Sequence, residues 1–158
     1  MEGKIHLCEE ITGHSIISGK LSFAEALNMT GEMVRFEQKL IQLPKNDRLA
    51  VYGDTVAQEH LCRQWLGTHL TKGQWTNIRN EILTNENLTR VGFQNGLDRC
   101  LTLNRGLSTV SPRMMATAVE AILGAVHRDG GDTALATVMD RLGLRSDLLT
   151  SNIQDPPH

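Results

Sequence analysis

Two acids, each close to a glycine, carry the clearest chemical signal in this chain. In DRLAVYGDTV (47–56) Asp54 directly follows Gly53, and in ATAVEAILGA (116–125) Glu120 stands four residues before Gly124. If both segments are helical, each sets a carboxylate and a spot without a side chain on nearly the same face. Glycine costs a helix about 1 kcal/mol against alanine, but it lets two backbones touch. Two such helices crossing at their glycines would bring Asp54 and Glu120 together. Paired carboxylates repel unless a proton or a cation lies between them, and hard oxygen donors suit Mg²⁺. The plainer alternative is two solvated helix-face acids.

Such a pair needs long helices to hold it, and the composition favours them. Of the 158 residues 40% are hydrophobic but only 4% aromatic, so the core must be aliphatic, which suits helix better than sheet. Ser22 with Glu25 reads as a capping box ahead of Phe23–Leu27. A segment without proline keeps apolar spacing from Asn46 to Leu66, and Trp75–Leu83 and Thr84–Gln94 read as shorter helices, the second ended by Gly96. Ser111 as N-cap, Pro112 at the first helical position and Gly130-Gly131 bound a longer one. Its stripe of Met115, Ala118, Val119, Ile122 and Val126 repeats at helical spacing. A last helix runs from Asp132 to Leu142, with Gly143 beyond it. No period-2 run of any length competes, so the expected fold class is all-α. The expected organisation is one domain over 3–145 and a flexible, polar, Pro-containing C-terminal tail over 146–158.

Several function classes are excluded. No stretch of 18 apolar residues exists, and the N-terminus lacks the apolar run of a signal peptide, which predicts an intracellular protein without a membrane partner. Cytoplasm and mitochondrion are equally compatible. Cys8, Cys62 and Cys100 form no CxxC, and the histidines form no HExxH, so neither a zinc site nor a redox pair is indicated. A net charge of −2 gives no global attraction for nucleic acid, though Arg outnumbers Lys and suits forked phosphate contacts.

The order of these pieces resembles the nuclease domain of the ribonuclease III family over nearly the whole chain. CEEITGHSIISGKLSFAEAL (8–27) is similar to that family's first two helices, and DRLAVYGDTV to its signature helix, commonly ERLEFLGDAV. RNEILTNENLTRVGFQNGL (79–97) is similar to the middle helices, and MATAVEAILGAVHRDGG (115–131) to the acidic helix, typically LADxFEALIGAxxxDGG. The resemblance implies a ribonuclease III-like endonuclease domain that pairs as a homodimer and cleaves double-stranded RNA with Mg²⁺, for which Mn²⁺ substitutes. It implies Asp54 and Glu120 as catalytic metal ligands. Asp47, one methylene shorter than the signature's leading glutamate, would support them from a second shell, through water or a hydrogen bond. Thr117 places a hydroxyl where the acidic helix has its aspartate, and Ala50 stands where the signature has its second glutamate. RNA contacts are implied at Arg113 and at Asn87, the latter with helix-end capping as its other role. Val51 occupies the position where the family often inserts Phe into its dimer partner, and His127 one where packing is the expected role.

Two functional readings follow. The short Mini-III branch, which lacks a double-stranded-RNA-binding domain, typically reads LAYxGDAV and has Ser or Thr ahead of FEAL. LAVYGDTV and ATAVEAIL are similar to both patterns, and the chain's length fits that short form. One reading is therefore a reduced but working endoribonuclease, a hydrolase of RNA processing. The other is a catalytically inactive scaffold or RNA-binding subunit, for example of a mitochondrial ribosome or a processing complex.

Overall fold

A computed structural model describes residues 1–154. Helices α1 (Glu2–Thr12) and α2 (Lys20–Ala26) lead into a hairpin of β1 (Val34–Phe36) and β2 (Lys39–Ile41). Then follow α3 (Asp47–Leu66), α4 (Lys72–Ile82), α5 (Asn85–Gln94), a 3₁₀ turn (Leu97–Cys100), α6 (Pro112–Leu142) and α7 (Asp147–Ser151).

The fold is built around α6. Its expected stripe, Met115, Ala118, Val119, Ile122 and Val126, is fully buried, and so are Ala121, Leu123 and Ala125 between its members. A helix apolar on all sides needs partners on all sides, and α3 and α5 supply the largest of them. Ser111 accepts from the Met114 N–H, and Pro112 takes the first position, as expected. The break is also where expected: Gly131 is non-helical at φ 73°, ψ −161°, so α6 is two helical segments meeting at a kink, the second ending at Leu142. On α4 the helix starts earlier than Trp75, because Thr71 and Gln74 form a reciprocal capping box. Trp65 and Trp75 pack against each other at 5.8 Å, and the Trp65 indole donates to the carbonyls of Leu70 and Thr71.

The fold class is mostly helical, with three local departures from expectation. The hairpin pairs only Val34–Phe36 with Lys39–Ile41, burying Val34 and Phe36. The capping box at Ser22 does not form. Helix α2 starts at Lys20 behind Gly19 without a side-chain cap of its own, and Asp129, far along the chain, accepts from the backbone N–H groups of Ile17, Ser18 and Gly19 instead. Of the tail expected from 146 onward, Asp147–Ser151 is helical, Leu149 is buried, and the Gln154 N–H donates to the Gly67 carbonyl. The rest of that tail, 155–158, lies outside the described residues. No described helix is long and apolar enough to cross a membrane.

Candidate active site

Helices α3 and α6 cross at their glycines, as the sequence suggested. A Cβ on Gly53 would lie 1.7 Å from the Glu120 carbonyl oxygen, and one on Gly124 would lie 2.6 Å from the Leu49 carbonyl oxygen. Backbone therefore rests on backbone, and no other residue fits at either position. Asp54, next to Gly53, and Glu120, whose own carbonyl meets Gly53, are carried by the touching segments and are both half-buried. Burial and then the Asp54 charge push the Glu120 carboxyl up to about 7. A carboxylate raised by a neighbouring carboxylate marks a place for a proton or a cation.

The pair is held from one side only. Gln58, one turn beyond Asp54, donates from Nε2 to Asp54 Oδ2 at 2.8 Å, and Arg79 on α4 donates from Nε to Gln58 Oε1 at 2.8 Å. Asp47 is exposed at the start of α3 and is not gathered with Asp54 and Glu120; among the described residues no group of three acids, histidines or cysteines could hold a metal ion. Thr117, one turn before Glu120, donates its hydroxyl to the Arg113 carbonyl at 3.0 Å. Ala50 is buried.

The remaining expected residues lie elsewhere. Arg113 is exposed in the first turn of α6, where it lines a cleft of about 520 Å³ with Asn85, Glu86, Thr89 and Pro112. Asn87 is engaged within the protein: its Nδ2 donates to the Ile82 carbonyl at 2.7 Å, and its Oδ1 accepts from Arg90. Val51 is 71% exposed on the face of α3 away from the core. Sequence reading missed Gln58 and Arg79, and it missed a chain of polar contacts at the α6 kink. There the Tyr52 hydroxyl lies 2.7 Å from His127 Nδ1, His127 Nε2 lies 2.8 Å from Asp132, and Arg63 donates to Asp132 at 3.1 Å. No local pattern could have shown the links from Arg79 to Gln58, from Tyr52 to His127 and from Arg63 to Asp132, since each of these joins different elements.

The Ribonuclease III domain family matches residues 47–131, which takes in the whole α3–α6 crossing. The ribonuclease 3 of Syntrophotalea carbinolica is 32% identical over 105 residues, 63% of this chain and 45% of that protein. The ribonuclease 3 of Carboxydothermus hydrogenoformans is 32% identical over 113 residues, 68% of this chain and 48% of that protein. The chain thus spans about half the length of these curated relatives. In structure, the nuclease domain of a Campylobacter jejuni ribonuclease III superposes with a TM-score of 0.64 at 20% identity, covering 87% of this chain and 94% of that one. That structure is described as flexible in a region involved in dimer formation.

Proposed function

Because the chain belongs to the ribonuclease III family, we propose that it is a metal-dependent endoribonuclease of double-stranded RNA with a reduced carboxylate site. One observation carries the reading: Gly53 and Gly124 let the segments bearing Asp54 and Glu120 touch, and burial, with the Asp54 charge second, raises the Glu120 carboxyl to about 7. A cation between them relieves that repulsion. Two carboxylates fit one Mg²⁺, an ion that keeps several waters and takes one or two protein carboxylates plus substrate phosphate. Bound there, the ion supplies an activated water and neutralises phosphate charge. Gln58 holds Asp54 through Oδ2 and leaves Oδ1 without a protein donor among the described residues. Thr117, its proton committed to the Arg113 carbonyl, keeps lone pairs that accept from a bound water. Asp47 acts only through solvent. Arg113 meets RNA phosphates, and Asn87 contributes by orienting Arg90.

RNA binding in this reading uses a two-fold dimer formed on the free face of α3. Val51 and Tyr52 are exposed there, and Tyr52 shares a cavity of about 330 Å³ with Glu25, Arg48 and Arg128. Glu25 Oε1 is buried in this region without a hydrogen-bond partner, while Arg48 and Arg128 enter no ion pair among the described residues. A patch that offers both an unmatched acid and unmatched bases is self-complementary, which suits an isologous interface. Light scattering showing only the 17.5 kDa species at micromolar concentration contradicts the dimer.

The second reading, an inactive scaffold or RNA-binding subunit, is favoured by Ala50 and Thr117, which leave the site two acids short of the family pattern. One assay separates the two: incubation of a labelled RNA duplex with Mg²⁺ or Mn²⁺ against EDTA. The enzyme reading expects metal-dependent cuts that disappear in Asp54→Asn and in Glu120→Gln. Wild type inert at every metal concentration, with cleavage gained by Ala50→Glu plus Thr117→Asp, would establish the scaffold.

A further inference from the structure

The link from Asp54 to Arg79 does more than fill space. Arg79 leaves α4 and donates from Nε to Gln58 Oε1 on α3, and Gln58 Nε2 donates onward to Asp54 Oδ2, each at 2.8 Å. The amide has one workable orientation, because the carboxylate accepts only a donor and the guanidinium needs an acceptor. Gln58 therefore fixes Arg79 and Asp54 relative to each other. A guanidinium has five N–H donors; Nε is used, and the terminal nitrogens have no protein acceptor among the described residues. Arg79 is exposed, so a bond to a neutral amide adds little stability in return for ordering so long a side chain. Lys72 is exposed seven residues earlier, two turns along the same face of α4 and about 10 Å away along the helix axis. The two cations form a short basic line leading to the carboxylate pair. The neighbouring positions Ala50 and Thr117 are neutral, so a phosphate approaching this edge meets less negative charge than in a four-acid site.

We propose that Arg79 binds the RNA phosphate beside the one on which the Asp54–Glu120 pair acts, with Gln58 as the positioning residue that aims its guanidinium. This rests on the reading of that pair as the reaction centre, but its test does not need cleavage. Binding of a fluorescently labelled RNA duplex is measured in EDTA over a series of salt concentrations, for wild type, Arg79→Ala, Arg79→Lys and Gln58→Leu. Each phosphate contact adds about one unit to the slope of log affinity against log salt. Arg79→Ala is expected to weaken binding several-fold and to flatten the slope by about one unit for each subunit engaged. Arg79→Lys is expected to keep the slope, because the charge remains. Gln58→Leu keeps the slope as well but loses affinity, because the guanidinium is no longer aimed. Thermal unfolding of each variant monitors the fold. An unchanged slope in Arg79→Ala, with or without a lower melting temperature, overturns the proposal and leaves Arg79 as a tie between α3 and α4. A wild type that binds no duplex overturns it too. A wild type that binds through Arg79 yet never cleaves refutes the nuclease reading and leaves this contact standing.

Discussion

Glu120 and Asp129 lie nine residues apart on α6 and are opposite kinds of buried acid. Burial alone would raise Asp129, whose side chain is fully covered, but it accepts from the backbone of Ile17, Ser18 and Gly19 and from His14 at 2.7 Å, which holds it down to about 2. Glu120 has burial and a neighbouring Asp54, with nothing donating to it, and is raised to about 7. One carboxylate is fully used in holding the loop before α2. The other is unfavourable until something positive arrives. A carboxylate that the fold satisfies is structural, whereas one it leaves unsatisfied at a close helix crossing is a candidate for chemistry.

The largest effect should come from breaking only the Glu120 half. Gly53→Ala drives a methyl into the Glu120 carbonyl, so α3 and α6 must separate there, at a cost of about 3 kcal/mol in urea unfolding. Asp129 lies outside that crossing, so the acid sensitivity it causes should persist in the variant.

Breaking the other half comes next. Asp129 falls from an ordinary 3.8 to about 2 on folding, so its contribution is fully present above pH 4 and disappears as pH falls from about 4 to 2. Asp129→Asn should therefore cost on the order of 2 kcal/mol at pH 7, and should lose much of the fall in stability that wild type shows between pH 4 and 2.

Glu120→Gln should act in the opposite direction. A carboxyl raised from 4.5 to about 7 binds its proton more tightly in the folded state, so wild type loses stability as pH rises through that window. In the absence of metal the variant should be more stable than wild type by on the order of 1 kcal/mol at pH 8, after allowance for screening at a half-exposed site, and equal to it near pH 4. Unfolding curves at the two pH values check this. The smallest effect belongs to Asp47→Asn, within about 0.5 kcal/mol, since that acid is exposed and outside the pair.

The comparison also shows where the sequence was legible. Gly53 and Gly124 could be read because a missing side chain at helical spacing has one structural use, the close approach of backbones. Ser111, Pro112 and Gly143 mark the ends of α6 by local chemistry, and local chemistry is visible in a string of letters. Asp129 was not legible as a cap, because its acceptors serve Ile17–Gly19 from more than a hundred residues away, while Ser22 and Glu25 offered a local pattern that tertiary structure overrode. The hairpin escaped notice because three-residue strands show no period, and its turn takes φ of 48° and 67° at Glu37 and Gln38 without a glycine. Helix α7 is too short to show a stripe. At the site, the two acids were readable, whereas Gln58 and Arg79 become neighbours of Asp54 only once α4 has packed on α3.

The central claim is that the Asp54–Glu120 crossing holds one divalent ion. Titration of the protein with Mn²⁺, counted by the loss of the free-ion paramagnetic resonance signal at pH 6 and pH 8, tests it most directly. The expected result is one ion for each chain, bound more tightly at pH 8 where Glu120 has lost its proton, and lost in both Asp54→Asn and Glu120→Gln. Binding that is absent, or that survives both substitutions, would contradict the account.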